Sequence, residues 1–266
     1  MKLRHSRRAF ITAAASGLAL ALPSRTSFAG YEQRNDAISL VPLNSLNINA
    51  QRKLSPILEH PTLFRRLARQ SIDCDPEMFT YLARQPEVLV SVWEAMGITK
   101  VKTDRLGPYL LKGVDAAGTS CELELVYGTP QIHLYYATGR YDGNVVPQGI
   151  NGRAVFVLHS EYSKSATGRD QVSCNLDSFI QLDNLGADLI ARTIQPLLWG
   201  TAEQNFAESA KYIAQISQAA EQNPAGIQDL AGRLPNLTPA VRESFSKQVQ
   251  RVAARADHRW TAASER

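Results

Sequence analysis

Apolar positions along this chain change their period three times, and the changes divide it. Between residues 51 and 100 they recur at three-to-four spacing, which predicts helices: Leu54, Ile57 and Leu58, then Leu63, Phe64 and Leu67 after Pro61. Asp75-Pro76-Glu77 offers an acceptor side chain at N-cap followed by proline at the first helical position, a start signal. Pro86-Glu87 starts another helix, whose Leu89, Val92, Trp93 and Met96 make a buried stripe before Gly97 ends it. Residues 30–50 are rich in Asn and Ser and hold no sustained period, so they read as an exposed leader.

From about residue 105 to 179 the period becomes two, with breaks at Gly107, Gly113, Gly118, Gly128-Thr129-Pro130, Gly139, Gly149, Gly152 and Gly168. That pattern predicts an antiparallel meander of about five strands, counting 106–112. Cys121, Leu123, Leu125 and Tyr127 alternate with Glu122 and Glu124, which predicts one apolar and one wet face. Residues 153–162 are apolar on both faces, as a central strand would be. After Asp183 helical spacing returns through Leu185, Leu189, Ile190, Ile194 and Leu197, and Pro196 and Gly200 interrupt it. Phe206, Ala210, Ile213, Ser217 and Ala220 continue the stripe, so the element is one long kinked helix or two in series. Asn223-Pro224 closes it and 232–235 reads as loop. Thr238-Pro239 opens a last helix whose Val241, Phe245, Val249 and Val252 must dock on something. The expected fold class is α+β: an antiparallel sheet of about five strands packed on a long C-terminal helix, with extra N- and C-terminal helices. Residues 101–222 form the expected core, 223–266 a C-terminal loop and helix, and 51–256 a single domain.

The N-terminus departs from this scheme. Its first 29 residues carry Lys2, Arg4, Arg7, Arg8 and Arg25 with no carboxylate, and a mild apolar run at 13–22 follows the basic cluster. About ten residues fall short of the roughly 20 that span a bilayer, so the run reads as a signal peptide rather than an anchor. Ser6-Arg7-Arg8-Ala9-Phe10-Ile11 resembles the twin-arginine consensus, with Arg7 and Arg8 as the recognition pair. Ser27-Phe28-Ala29 offers small residues for cleavage after Ala29. The resemblance implies the twin-arginine translocase as export partner and a periplasmic or extracytoplasmic location, with a soluble chain of about 237 residues after cleavage.

Cleavage changes the charge reading. The whole chain is formally +4, but without the signal 24 basic residues face 25 acidic ones, so nucleic-acid binding by bulk charge loses its support. The remaining basic excess, at 242–266, reads as a solvated helix face. Three cysteines, Cys74, Cys121 and Cys174, are too widely spaced for a zinc or CxxC redox site. Cys121 and Cys174 suit either burial or a disulfide.

Candidate chemistry is sparse. There is no GxSxG, HExxH, GxxxxGK[ST] or GxGxxG, and no cofactor, metal site or catalytic set is named. His133 and His159 fall on neighbouring strands, and with Glu161 they could orient a general base or simply be packed polar residues. Tyr127, Tyr135, Tyr136, Tyr141 and Tyr162 crowd the strands while Trp199 and Phe206 flank the helix break. Amphipathic aromatics can line an apolar pocket with one polar tip, though they are also ordinary strand formers.

The order of helices, curved meander and long helix over 104–222, with Asp183-Asn184-Leu185-Gly186-Ala187-Asp188-Leu189 entering the helix, resembles the START-like or SRPBCC group, the helix-grip fold. The same stretch is similar to uncharacterised exported bacterial proteins. The helix-grip resemblance implies a lipid-like, apolar or amphipathic ligand held between sheet and helix, with Tyr127, Tyr136, His159, Tyr162, Trp199 and Phe206 as candidate contacts. Two rival expectations are an envelope interaction module that uses the added helices and a cofactor-poor hydrolase or cyclase using His159 with Glu161.

Overall fold

The computed structural model describes residues 26–143, 149–183, 186, 189 and 193–264. The recognition pair Arg7 and Arg8 lies outside them, while Ala29 falls in the first helix, α1 (Thr26–Ser39). A 3-10 turn (Leu43–Ser45) leads to α2 (Ile48–Glu59), which Asn47 caps by accepting from the Ala50 amide. Residues 30–50, expected to be an exposed leader, are therefore mostly ordered helix. Ala37, Val41, Leu46 and Ala50 are buried against the sheet with Leu134, Val155, Val157 and Phe179. Their spacing runs across helix, turn and helix again, so no one period reveals the stripe.

Two short strands follow, β1 (Leu63–Arg66) and β2 (Gln70–Ile72), both antiparallel to β8 (Asp170–Leu182). A helix was expected at Leu63, Phe64 and Leu67. Instead Leu63 pairs with Ile180 and Phe64 with Phe179, and these two neighbours bury on opposite faces of the sheet, which helical spacing cannot do. The helices α3 (Pro76–Arg84) and α4 (Pro86–Ala95) start where the proline signals place them, and Gly97, at φ 70°, follows α4 in a conformation that favours glycine.

The meander is β3 (Lys102–Gly107), β4 (Leu110–Val114), β5 (Thr119–Gly128), β6 (Ile132–Tyr141), β7 (Ile150–Lys164) and β8. The described residues thus form an eight-stranded antiparallel sheet in the order β1-β8-β7-β6-β5-β4-β3, with β2 also on β8. The three strands beyond the expected five come from β1, β2 and a split: 106–112 is not one strand but the turn of the β3–β4 hairpin and parts of both arms. A long helix, α5 (Gln195–Gln222), runs on without interruption, with Pro196 in its first turn, where a missing amide costs nothing, and Gly200 inside it. After it come α6 (Pro224–Arg233), where loop was expected to begin, and α7 (Pro239–Ser264).

The expected stripe of α7 is accounted for within the chain. Val241, Phe245, Val249 and Val252 are buried with residues of α3, α4 and α5, and Phe245 stacks on Tyr81 at 6.0 Å between ring centres. Asp75 ties these elements together. Its carboxylate caps α3 through the Glu77 and Met78 amides and accepts two hydrogen bonds from Arg255 of α7, each 2.8 Å. The Asp75 amide donates to Ser217 of α5 at 2.8 Å. Two further basic residues of α7 are engaged: Arg242 donates to the carbonyls of Ala231, Gly232 and Leu234, and Lys247 pairs with Glu243.

Candidate functional site

The sheet has two covered faces. On the outer one, α1 and α2 pack against Leu134, Val155, Val157 and Phe179, all 0% exposed. On the inner one, α3, α4, α5 and α7 enclose a core that reaches β2 and the neighbouring parts of β7 and β8 through Ile72, Leu158, Val172 and Cys174. Between that core and the other end of α5, where Ile194 and Leu198 meet Ile150 and Leu182, the inward positions change character.

Across adjacent strands they are Gly113, Ala137, Gly139, Gly152 and Ala154, brought into contact by the registers Gly113↔Cys121, Cys121↔Gly139, Gly139↔Gly152 and Ala137↔Ala154. This is a floor of small side chains, interrupted by Cys121 between Gly113 and Gly139. Around it stand Leu111, Cys121, Leu123, Phe156, Ile180 and Leu182, most of them only half-buried. In a close-packed interior, large residues normally fill such positions. Small residues lower the inner surface of the sheet here into a shallow recess, which the neighbouring Cys121 and Leu182 side chains overhang: a Cβ on Gly113, Gly139 or Gly152 would stand 3.1–3.3 Å from them.

The candidate contacts do not converge there. Cys121, Leu123, Leu125 and Tyr127 were expected on one face, but a bulge between Leu125 and Tyr127 adds one residue and turns Tyr127 outward, opposite Leu134. Tyr136 also packs on the outer side, and so does His159, which pairs with Ile132. Tyr162 is inward but at the filled end, where its hydroxyl donates to the Pro130 carbonyl at 2.6 Å and lies 3.3 Å from that of Thr80. Trp199, 5% exposed, sits beside the Arg65 guanidinium and a groove of about 400 Å³ next to β1. Phe206, like Tyr162, packs against the inner core. Sequence reasoning looked for large aromatics and missed the floor, whose signal is a run of small residues at inward positions of successive strands.

The two strand histidines also separate. His133 pairs with Leu158 and stacks near Tyr135 on the inner face, while His159 is on the outer one, and Glu161 is exposed and paired with Arg69. The expected cluster of His133, His159 and Glu161 therefore does not form. His159 Nε2 lies instead 3.4 Å from Asp177 Oδ2, without hydrogen-bond geometry, and Arg66 grips Asp177 with two hydrogen bonds of 2.6 and 2.9 Å. Burial opposes the charge of Asp177, but His159 and Arg66 outweigh it and hold the carboxyl below its ordinary range. Burial, then the nearby Arg84 charge, pushes His133 down to about 4, so its imidazole is neutral.

All three thiols are free. Cys121 and Cys174 lie on strands with two others between them, roughly 14 Å across the sheet at the usual strand spacing, which rules out the disulfide considered above. Among the described residues no group of three His, Cys, Asp or Glu is placed to hold a metal, and no helix is long and apolar enough to cross a membrane.

No family model matches the chain, and no curated relative matches. Several solved structures are similar at low scores. A conserved protein from Geobacillus kaustophilus has a TM-score of 0.39 at 16% identity, covering 57% of this chain and 96% of its own. Ara h 8.0201 has 0.37 at 10% identity, covering 57% and 99%. The di-domain ARO/CYC protein BexL of the BE-7585A biosynthetic pathway has 0.35 at 12%, covering 74% and 62%. Likeness of this degree carries no argument about ligand or activity. The helix-grip-like description rests on this chain's own order: a strand pair, two helices, a six-strand antiparallel meander and a long helix across it.

Proposed function

We propose that this chain is an exported, non-catalytic binding protein that holds a small apolar or amphipathic molecule between the inner face of its sheet and α5. The floor of Gly113, Ala137, Gly139, Gly152 and Ala154 supports this reading most directly, because these small residues, four of them directly paired as Gly139↔Gly152 and Ala137↔Ala154, put little bulk where core positions are normally large. The rim of half-buried Cys121, Leu123 and Phe156 supplies apolar contact, worth about 25 cal/mol per Å² removed from water. Export is supported by the Arg7-Arg8 signal. The test is to isolate the processed protein from its native envelope and compare native with denaturing mass spectrometry. A small molecule released on unfolding is the expected result; an apo mass in both measurements would overturn the proposal.

A further inference from the structure

A second site lies elsewhere, where the N-terminus of α2 meets the ends of β4 and β5. There a cleft of about 930 Å³ is lined by Asn47, Arg52, Lys53, Arg84, Tyr109 and Tyr127, among others, with Glu124 as the carboxylate in its wall. Charge is unevenly compensated in it. Lys53 is paired with Glu124 at 2.6 Å and lies 5.4 Å from the centre of the Tyr136 ring. Arg52 is exposed.

Arg84 is the informative residue. Its Nε donates to Nε2 of His133 at 3.2 Å and its Nη2 to the Gly128 carbonyl at 3.2 Å. Both acceptors are neutral: one is a carbonyl, the other a fully buried imidazole. The guanidinium is therefore held in one orientation while its charge is left without a carboxylate partner among the described residues. Gly128 makes this possible, since a Cβ there would press on the imidazole at 3.2 Å. A fixed guanidinium edge is the group that recognises carboxylate and phosphate oxygens through paired, charge-assisted hydrogen bonds. Tyr109, 66% exposed, and Tyr127 offer ring surface beside it.

We infer that this cleft binds an oxyanion carried on an aromatic or apolar body, with Arg84 as the anchor, Arg52 and Lys53 as the supporting cations and the tyrosines holding the body. The inference does not depend on the recess under α5, which is formed by other residues.

Isothermal titration of the mature protein with phenyl phosphate, benzoate and the neutral benzyl alcohol tests it. Either or both anions bind, benzyl alcohol does not, and affinity falls as salt rises, because exposed charges are screened. Arg84→Gln weakens the bound anion about tenfold or more, the size expected for one charge-assisted hydrogen-bonded pair. Arg52→Gln, at an exposed position, weakens it less and serves should Arg84→Gln perturb folding. The inference is overturned if neither anion binds, if the alcohol binds as well, or if both substitutions leave affinity unchanged. A stronger response to phenyl phosphate than to benzoate assigns the ligand as a phosphate ester, and the reverse assigns a carboxylate.

Discussion

The two faces of the sheet are built from the same strands by opposite rules. On the outer face, Leu134, Val155, Val157 and Phe179 meet α1 and α2 with no exposure at all, and Phe64 packs on Phe179 at 4.8 Å between ring centres. On the inner face, a comparable set of positions carries Gly and Ala beneath a helix anchored beyond them at both ends. One face is filled throughout, whereas the other is filled at the end where α3, α4 and α7 pack. The other gives up contact over a limited area, and that area is where binding is proposed.

The sharpest break in the comparison comes from removing bulk on the filled face. Phe179→Ala should cost about 3–5 kcal/mol in urea unfolding, because the cavity it leaves is walled by α2 and by neighbouring strands that cannot collapse. A loss below about 1 kcal/mol would mean the outer face is looser than its burial indicates. Asp75→Ala should follow at about 3 kcal/mol, since it strands Arg255 and uncaps α3 at once. If it cost no more than an ordinary helix cap, the link between α3 and α7 would be ornamental.

A smaller effect is set by pH. His133 ordinarily titrates near 6.5 but is held near 4 in the fold, so the unfolded chain takes up the proton first as pH falls. Its share of stability is present above pH 6.5 and is lost as pH drops toward 4, amounting to about 2 kcal/mol between pH 7 and pH 5. His133→Gln should flatten that part of the stability profile; an unchanged slope would show that another group carries it. Smallest is a difference in thiol labelling. Cys174, whose thiol burial pushes up to about 12, and the more deeply raised Cys74 should resist alkylation in the native state, while half-buried Cys121 at the recess reacts first. Equal rates for all three would remove the distinction between the closed and open parts of the inner face.

Much of this architecture was legible in the sequence. The strong alternation at 119–141 and the proline-started helices α3, α4 and α7 follow local rules that outweigh their surroundings. Segments that depend on distant partners were not. Leu63 and Phe64 carry a helix-like spacing, yet β8 captures them as a strand, and 30–50 gains its order from the outer face of a sheet encoded a hundred residues later. The site was the least legible part. One bulge at 125–127 transfers Tyr127 to the other face, and the recess is marked by missing side chains, which a search for chemistry-bearing residues passes over. The aromatic count pointed to Tyr127, Tyr136 and Tyr162, which the registers place away from the small residues of the inner face.

Ala154→Phe tests the central claim most directly, with the neutral dye Nile red titrated into mature wild type and variant alongside urea unfolding of each. The account predicts that wild type binds the dye with a blue-shifted emission, that the variant does not, and that the two unfold within about 1 kcal/mol of each other because the new ring enters existing space. Undiminished dye binding in the variant would contradict it. So would a destabilisation of about 3 kcal/mol, the mark of a core that was already full.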